Sequence, residues 1–491
     1  MRSQPGNVYF LKSNSKLSMP IPSQIIALAN SAKKQIPAYQ KFLRHNGWRK
    51  VKITQQNFGT LPIMEKQNYI KAYGLKDFFG KQPLPQNAYC SSGSTGEPTF
   101  WYRNKGQELL GAKLHATIFQ SCFSLNPKQP TLIIVAFSMG VWVAGGFTAA
   151  CARLLQEQGW NITVTTPSID ITDTLHILKN LAPEYGQVVL AGYPSLVADI
   201  IHEALRQKIT LPLKLRVLTA GDSFNEDWRE SLCAAIPNGK PEHVLSLYGS
   251  ADAGPIAYET PMSITLRKFV LGHPSLTDLL VPGTHSKQPA FFSYDPRTVY
   301  IEKHGEELLL SAPAGIPLIR YNIHDKGFIY TPNQLYPVLE NAGAPRALLT
   351  MVKTSSLPIV IKTGRTDVAV TYYALNVYPE HIEMALQDER IRHMLAGDYK
   401  AYSITDPGSQ KEKLVFELTP TAKYNKNLMP LIEATVFERL LAANTEFRKL
   451  HDSLGPETKP VIVVQDTVPA APSGTKMLIA HKGKKPKLIR L

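Results

Sequence analysis

Apolar and polar positions along the first two thirds of the chain follow a rhythm of short strands and amphipathic helices. Continuous apolar runs, typical of buried strands, stand between segments whose apolar residues recur at helical spacing. The pattern predicts strands at 132–137, 161–165, 187–191, 215–220 and 243–248, and helices at 23–42, 108–119, 173–181 and 196–205. Strands that alternate with helices predict a layered α/β fold, with ligands bound beyond the carboxyl ends of the strands.

From residue 307 onwards the pattern changes to strands and then to a separate unit. Strands are predicted at 307–310 and 317–325, and the stretch 332–358, which contains proline, asparagine and glycine, is interpreted as an irregular insertion. The last part has the pattern of a β-α-β-β-α-β unit: a strand at 368–374, a helix from 379, a hairpin around 406–409, a helix over 428–440 and a strand at 459–464. We therefore predict a large N-terminal domain, 1–366, and a small α+β C-terminal domain, 367–491, joined by a hinge.

One uncharged stretch has the length of a membrane span. Residues 131–152 carry no charged side chain, but glycines interrupt the stretch twice, which favours a buried strand, a turn and a buried helix. The first 20 residues contain no apolar segment of signal-peptide type. The four cysteines show no C-x-x-C spacing, which argues against a disulfide scaffold or a cysteine zinc site. We expect a cytoplasmic protein without a membrane span.

The charge favours anionic partners. Lysine and arginine number 54 against 39 aspartate and glutamate, a formal net charge of +15. The basic run at 482–487 lacks the interleaved aromatic residues that stack on bases, so we interpret it as a solvated tail and expect no nucleic-acid partner.

A glycine-rich loop is the first candidate site. Four hydroxyl side chains and two glycines fall within six residues: Ser91, Ser92, Gly93, Ser94, Thr95 and Gly96. Glycine allows the backbone to approach a ligand, so that successive N–H groups converge on an anion, and the hydroxyls add donors. No lysine follows the second glycine, so this is not the common phosphate loop of nucleotide-binding proteins. A polar surface turn is the alternative.

Two later segments carry acids at strand ends. A purine could pack on the ring and glycine of Tyr248-Gly249, and a carboxylate such as Asp252 can hold Mg²⁺. Asp325 ends the next such strand, where it could accept hydrogen bonds from ribose hydroxyls. His324 alone is more typical of a packed or surface histidine than of a ligand.

Five segments, in this order, resemble the adenylate-forming superfamily of acyl-CoA synthetases, and more narrowly its phenylacetate–CoA ligase branch. The loop SSGSTGEPT is similar to that family's SSGTTGxP, residues 248–255 to YGxSE…GP, and residues 319–325 to RYRTxD. The most specific match is that of 364–367 with 375–383 to GRTDD…GVNVFPxxIE. Residues 472–476 resemble the C-terminal PxSGK element.

The resemblance implies a two-step reaction: a carboxylate attacks the α-phosphate of Mg·ATP, and a thiol, usually that of coenzyme A, then displaces AMP from the acyl-adenylate. It implies that the 91–96 loop cradles the phosphates, Asp252 holds Mg²⁺ and Asp325 binds the ribose. It also implies catalytic roles for Lys476, the mobile cation of adenylation, for Arg365 and for the hinge residue Asp367. The remaining nucleotide- and acid-binding positions that it implies are Ala220, Gly221, Asp222, Tyr248, Gly249 and Ser250.

Several departures from the family pattern keep alternatives open. Asp252 replaces a glutamate, Val368 replaces the second acid, and Thr475 separates Gly474 from Lys476, so Lys482 could be the catalytic lysine instead. The first hypothesis is an acid–CoA ligase that acts on an aryl or related acid. The alternatives are transfer to an acidic carrier protein or to an amine, and a non-catalytic nucleotide-binding member. A homodimer is compatible with each of them.

Overall fold

The computed structural model describes residues 19–80, 83–91, 99–283, 289–365, 369–373, 375–405, 411–464, 475–480 and 487–490. The helices of the first 365 residues are α1 Ser23–Gln35, α2 Pro37–His45, α3 Leu75–Phe79, α4 Lys105–Thr117, α5 Val143–Glu157, α6 Ile171–Asn180, α7 Pro194–Arg206, α8 Glu226–Ala235, α9 Pro261–Leu271, α10 Pro274–Leu280, α11 Pro332–Asn341 and α12 Arg346–Thr354. The strands of this part are β1 Asn87–Ser91, β2 Thr99–Arg103, β3 Thr131–Ala136, β4 Ile162–Thr165, β5 Gln187–Gly192, β6 Leu215–Ala220, β7 Val244–Ser250, β8 Gly254–Tyr258, β9 Ala290–Ser293, β10 Tyr300–His304, β11 Glu307–Ala312, β12 Leu318–Tyr330 and β13 Ile359–Arg365.

An eleven-stranded mixed sheet organises this large part of the chain. Its strand order is β10-β11-β12-β13-β9-β8-β7-β6-β5-β3-β4. The strands from β7 to β4 pair in parallel, and those from β10 to β7 pair antiparallel. The two halves meet at β7, which carries Tyr248. The predicted layered α/β fold is confirmed.

The described residues from 369 onwards form a second unit, here called the C-terminal module. Its helices are α13 Pro379–Leu386, α14 Met429–Ala443 and α15 Thr445–Leu454. Its strands are β14 Val370–Tyr372, β15 Leu375–Val377, β16 Leu395–Thr405, β17 Glu412–Pro420, β18 Val461–Val464, β19 Lys476–Ala480 and β20 Lys487–Arg490. Five of the strands make one sheet in the order β18-β17-β16-β19-β20, and β14 pairs with β15. The predicted small α+β unit therefore exists, whereas its boundary at 367 lies outside the described residues and stays a prediction.

The module packs on the parallel half of the large sheet. A single hydrophobic core contains Ile200 and Ile201 of α7 together with Val370, Tyr373 and residues of the module's own sheet. Burial of this shared apolar surface favours the arrangement seen here.

The uncharged stretch 131–152 forms β3, a turn and the first ten residues of α5, as the glycine interruptions predicted. All six residues of β3 are buried, which explains the continuous apolar run. Within the described ranges, no helix is both long and apolar enough to cross a membrane.

The interpretation of 332–358 as an irregular insertion is wrong, because α11 and α12 occupy most of it. Pro332 is at the start of α11, where a missing N–H costs nothing, and Thr331 and Gln334 form a capping box. The buried side chains of Leu335, Leu339, Leu348 and Val352 show the helical spacing that the proline and glycine residues obscured.

Candidate nucleotide site

Two segments with the same Tyr-x-x-x-Asp spacing, 248–252 and 321–325, are joined by hydrogen bonds at the centre of the candidate site. The hydroxyl of Tyr248 donates to Asp325 Oδ2 at 2.5 Å, and the hydroxyl of Tyr321 donates to Asp252 Oδ2 at 2.6 Å. Each tyrosine therefore donates a hydrogen bond to the carboxylate of the other segment. Burial, followed by the neighbouring carboxylate, raises the pKa of both phenols well above 10, so both act as hydrogen-bond donors at neutral pH.

Asp325 is the most buried of the predicted site acids, with 1% of its surface exposed. Lys362 Nζ lies 3.4 Å from its Oδ1 and Arg365 Nη1 lies 3.5 Å from the same oxygen. Despite these two cations, no described group donates a hydrogen bond to Oδ1 with proper geometry. A buried carboxylate oxygen without a donor is costly, so the site is suited to a ligand that supplies one.

Neighbouring strands place Arg365 beside Asp325. The two residues are directly paired across β12 and β13, so the cross-strand register fixes their separation. Arg365 also donates to the backbone carbonyl of Ile323 at 2.9 Å. The last described residue before the predicted hinge is thus anchored to the strand that carries Asp325.

The ring of Tyr248 is enclosed rather than open. Only 4% of its surface is exposed, the Phe292 ring centroid lies 5.5 Å away, and Lys362 Nζ lies 5.0 Å from the centroid. The adenine-binding role of Tyr248 stays a prediction, and we infer that adenine reaches the ring only if one of these contacts moves. Gly249 follows at a bulge between β7 and β8.

A turn fixed by an unexpected arginine holds the predicted metal ligand. Ser250 Oγ accepts from the Ala253 N–H at 3.0 Å, and Arg103 Nη2 donates to the carbonyls of Ala251 and Asp252 at 2.6 and 3.2 Å. Arg103 is 1% exposed, and burial lowers its pKa to about 10. The backbone around Asp252 is therefore rigidly held from β2.

Among the residues that the structure describes, no group of three or more histidine, cysteine, aspartate or glutamate side chains is arranged to hold a metal ion. Mg²⁺ that arrives with a nucleotide needs only one or two carboxylates beside the phosphates. Asp252, 9% exposed, fits that more modest requirement. Its role as the Mg²⁺ ligand stays a prediction.

The hairpin of β1 and β2 connects the glycine-rich loop to the same site. Ser91, the last residue of β1, accepts a hydrogen bond from Trp101 Nε1 at 3.0 Å, and the Trp101 ring packs edge-on to Tyr321 at 6.4 Å. The predicted loop residues Ser92, Gly93, Ser94, Thr95 and Gly96 lie outside the described residues, between these two strands. The hairpin that carries the loop is thus connected to Tyr321 through Trp101.

The carboxyl end of β6 supplies the third predicted segment. Ala220 ends the strand, and Gly221 follows with φ of +93°, a conformation that favours glycine. Asp222 then accepts from the N–H of Ser223 at 2.7 Å and lies near Glu412 of the C-terminal module. This segment faces the module.

The remaining predicted residues are not placed at the site. Asp367 lies outside the described residues, and Lys476 is described only as the first residue of β19, whose backbone pairs with β20. Arg320 of the 319–325 segment has a structural role instead, since it donates to Glu302 and to the carbonyls of Gly59 and Leu61. His324 lies within hydrogen-bonding distance of Glu307, as expected of a surface or packed histidine.

A narrow cleft of about 40 Å³, with room for a few water molecules, lies between the large sheet and the module. It is lined by Ser138, Trp142 and Tyr193 on one side and by Tyr373, Leu375, Glu446 and Leu450 on the other. The indole N–H of Trp142 is buried without an acceptor among the described residues, and Lys449 Nζ lies 5.4 Å from the Trp142 ring centroid. Three aromatic side chains, one carboxylate and one orphan donor therefore line this cleft.

Three residues of the site do not follow from the sequence motifs: Lys362, Arg103 and Tyr321. Tyr321 belongs to the 319–325 segment and Lys362 lies just before the 364–367 segment, but the motifs assign no role to either residue. Only the pairing of β12 with β13 shows that Lys362 lies near Asp325. An arginine in an otherwise apolar strand, TFWYR, is the signal that could have identified Arg103.

Comparison with known proteins supports the fold through structure and not through sequence. No protein-family model matches the chain, and no curated protein matches it by sequence. A 2-hydroxyisobutyryl-CoA ligase bound to 2-HIB-AMP and CoA, in its thioesterification state, aligns with a TM-score of 0.62 at 14% identity, over 91% of this chain and 86% of the ligase. The same ligase in its postadenylation state with 2-HIB-AMP gives a TM-score of 0.50 at 13% identity, over the same 91% and 86%.

An amide bond synthetase, McbA from Marinactinospora thermotolerans, aligns with a TM-score of 0.44 at 15% identity, over 78% of this chain and 66% of that one. The similarity to the ligase is sufficient to define the fold. The chain has the fold of this ligase, with a large mixed sheet and a C-terminal module.

Proposed function

We propose that this protein activates a carboxylic acid with ATP, as an acyl-adenylate, and transfers the acyl group to an acceptor thiol, that of coenzyme A. The observation that carries the proposal is Asp325 Oδ1, a buried carboxylate oxygen that lacks a hydrogen-bond donor beside two cations. Ribose hydroxyls are donors of the right kind. The motif resemblance assigns Asp325 to the ribose independently of this geometry.

Different residues of the chain would bind the different parts of the nucleotide during adenylation. The 91–96 loop would hold the phosphates, Asp252 the accompanying Mg²⁺, and Arg365 with Lys362 would set the field around the ribose and the developing charge. An attack on a polyphosphate needs positioning and charge neutralisation more than covalent catalysis. Ala220, Gly221 and Asp222, at the carboxyl end of β6, would line the base and acid pocket.

The direct test is ATP–pyrophosphate exchange with a panel of carboxylic acids, including aryl acids. Exchange that depends on one acid class supports the proposal. Folded, purified protein that binds ATP by calorimetry but exchanges with none of the acids would support the non-catalytic nucleotide-binding alternative instead.

Asp325→Asn should weaken ATP binding. The amide presents an N–H₂ group to Lys362 and Arg365 and removes the charge that the ribose hydroxyls would meet. Hydrogen bonds to charged groups contribute about 1.5–3 kcal/mol, so the dissociation constant should rise on the order of 10- to 100-fold. Isothermal calorimetry measures it. The matched control is Asp295→Asn, which removes an acid that pairs with exposed Arg297, and affinity should not change there. Equal affinities of the two variants would contradict the ribose assignment.

An amine acceptor is the second candidate, and the cleft favours it. Aromatic faces and a carboxylate bind a cationic amine. The ammonium nitrogen must lose one proton before it can attack the acyl-adenylate, and the carboxylate can accept that proton. The attack then forms the amide bond and releases AMP, and the second nitrogen proton goes to water. Lys449 Nζ lies 5.4 Å from the Trp142 ring centroid, and this contact supports the recognition of an ammonium group at this wall. Glu446 supplies the carboxylate.

Product analysis separates the two acceptors. Reactions with ATP and the active acid are supplied with coenzyme A or with a panel of amines, and thioester or amide is quantified by mass spectrometry. If the amine is the acceptor, Glu446→Gln should lower amide formation roughly tenfold through loss of the charged partner, while pyrophosphate exchange is unchanged. The matched control is Asp452→Asn, an exposed acid on the same helix. Thioester formation alone, unaffected by either variant, would establish the thiol.

A further inference from the structure

Helix α7 of the large part is joined to the C-terminal module by two side-chain hydrogen bonds. Ser195 Oγ donates to Glu412 Oε2 at 2.9 Å, and the Tyr373 hydroxyl donates to Asp199 Oδ2 at 2.9 Å. Ser195 and Asp199 are four residues apart on α7 and therefore lie on the same face of the helix. These four residues are here called the α7 dock.

The module organises Glu412 for this contact. Its carboxylate also accepts from Ser403 Oγ at 2.5 Å and from the Tyr373 N–H at 2.8 Å. The same residue, Tyr373, thus holds Glu412 through its backbone and reaches Asp199 through its hydroxyl. Tyr373 therefore connects the two halves of the dock.

The surroundings of the dock raise the pKa of both of its carboxyl groups. Removal from water, and then repulsion from Asp222, raises the pKa of Glu412 to about 7. Burial raises the pKa of Asp199 to about 6, although the Tyr373 hydrogen bond opposes that shift. Tyr372 and Tyr373 face both acids, while Lys411 and Glu457, which form an ion pair, act on Asp199.

We propose that the α7 dock is the device that holds the C-terminal module in this orientation, and that proton uptake by Glu412 and Asp199 strengthens it. Ser195, Asp199, Tyr373 and Glu412 are positioning residues, which act on the orientation of the module and not on the reacting atoms. The idea that the module has a second orientation, used for one of the two half-reactions, rests on the proposed function. The proposal that the dock holds the present orientation does not depend on that function.

The sign follows from which state binds more protons. Asp222 is on the large part and Glu412 is on the module, so separation removes the repulsion and admits water, and the pKa of Glu412 falls towards its ordinary value. The docked state therefore binds the proton more tightly, and docking weakens as the pH rises towards and past 7. Between pH 8 and pH 6, this linkage should raise the ratio of docked to undocked molecules roughly tenfold through Glu412 and about twofold through Asp199.

The test is a distance measurement on the full chain without substrates. Spin labels are attached to Leu213→Cys on the large part and Met384→Cys on the module, positions that are 73% and 57% exposed, in a Cys233→Ser background. The other three cysteines are buried. Double electron–electron resonance at pH 6 and pH 8 then gives the docked fraction. We expect it to rise at pH 6, and a distance distribution that is identical at the two pH values would overturn the proposal.

Two variants assign the effect to the dock. Glu412→Gln resembles the protonated acid, so it should stay docked at pH 8 and retain only the twofold change from Asp199. The matched control is Glu417→Gln, a buried acid of the same strand that binds Tyr402 and Lys400 within the module, and it should keep the full pH response. An equal loss of the response in both variants would overturn the proposal.

Ser195→Ala provides an independent readout, because it leaves the module unchanged. It should lower the docked fraction at both pH values, and no change would count against the dock. None of these measurements requires the protein to catalyse a reaction. If the distance depends on pH but the chain does not exchange pyrophosphate, the dock is supported and the proposed function is rejected. If the chain exchanges pyrophosphate but the distance does not depend on pH, the proposed function is supported and the dock is rejected.

Discussion

A Lys476→Ala variant should form acyl-adenylate on the order of 10²–10³-fold more slowly than the wild type, the usual effect of removing a preorganised electrostatic group. The resemblance of 472–476 to the family's C-terminal element assigns Lys476 to the negative charge that develops on the α-phosphate. A cation that acts only while this charge develops stabilises the transition state more than it binds ATP, so kcat should fall and ATP affinity should change little.

Separate measurement of the two half-reactions makes this prediction specific. Pyrophosphate exchange should be lost, whereas transfer from a chemically supplied acyl-adenylate to the acceptor should proceed at nearly the wild-type rate. Lys482→Ala is the control variant, because Lys482 is the alternative lysine. If Lys482→Ala gives this pattern and Lys476→Ala does not, the catalytic lysine is Lys482.

An Arg229→Met variant should be less stable than the wild type by about 3–5 kcal/mol, the typical cost of removing one partner from a buried ion pair. Arg229 has no exposed surface, and it bonds Glu226 at 3.0 Å and Glu259 at 2.6 Å. Arg267 is the second cation of this network, at 3.0 Å from Glu226. Without Arg229, two carboxylates are left with one buried arginine.

The ion-pair network of Arg229 is connected to the candidate nucleotide site, so its loss should also affect that site. Glu259 also accepts from the Ser246 N–H at 2.7 Å, and Ser246 precedes Tyr248 on β7 by two residues. Urea unfolding followed by tryptophan fluorescence measures the change in stability. Arg297→Met is the matched control, since Arg297 forms an exposed pair with Asp295, and its unfolding midpoint should equal that of the wild type. Equal midpoints for the two variants would mean that the network does not stabilise the fold.

The fold class and the main elements of the parallel half can be predicted from the sequence alone. Strands such as β3 and β5 are buried along their whole length, so their apolar runs are continuous and carry a local signal. The segments that contain Tyr248, Asp325 and Arg365 were likewise identified from local residue order, because each is a short stretch with its own motif. By contrast, 332–358 was misinterpreted because the local proline and glycine signals outweighed a helical spacing that only burial makes evident.

How these segments combine is evident only from the folded chain. The crossed Tyr248–Asp325 and Tyr321–Asp252 bonds join residues 77 and 69 positions apart. The same holds for Arg103, which is 149 positions from Asp252, and for the α7 dock, where Ser195 and Glu412 are 217 positions apart. Local sequence determines whether a segment can form a strand or a helix. Which side chains then meet depends on strand order, register and the packing of the module, and those are properties of the whole chain.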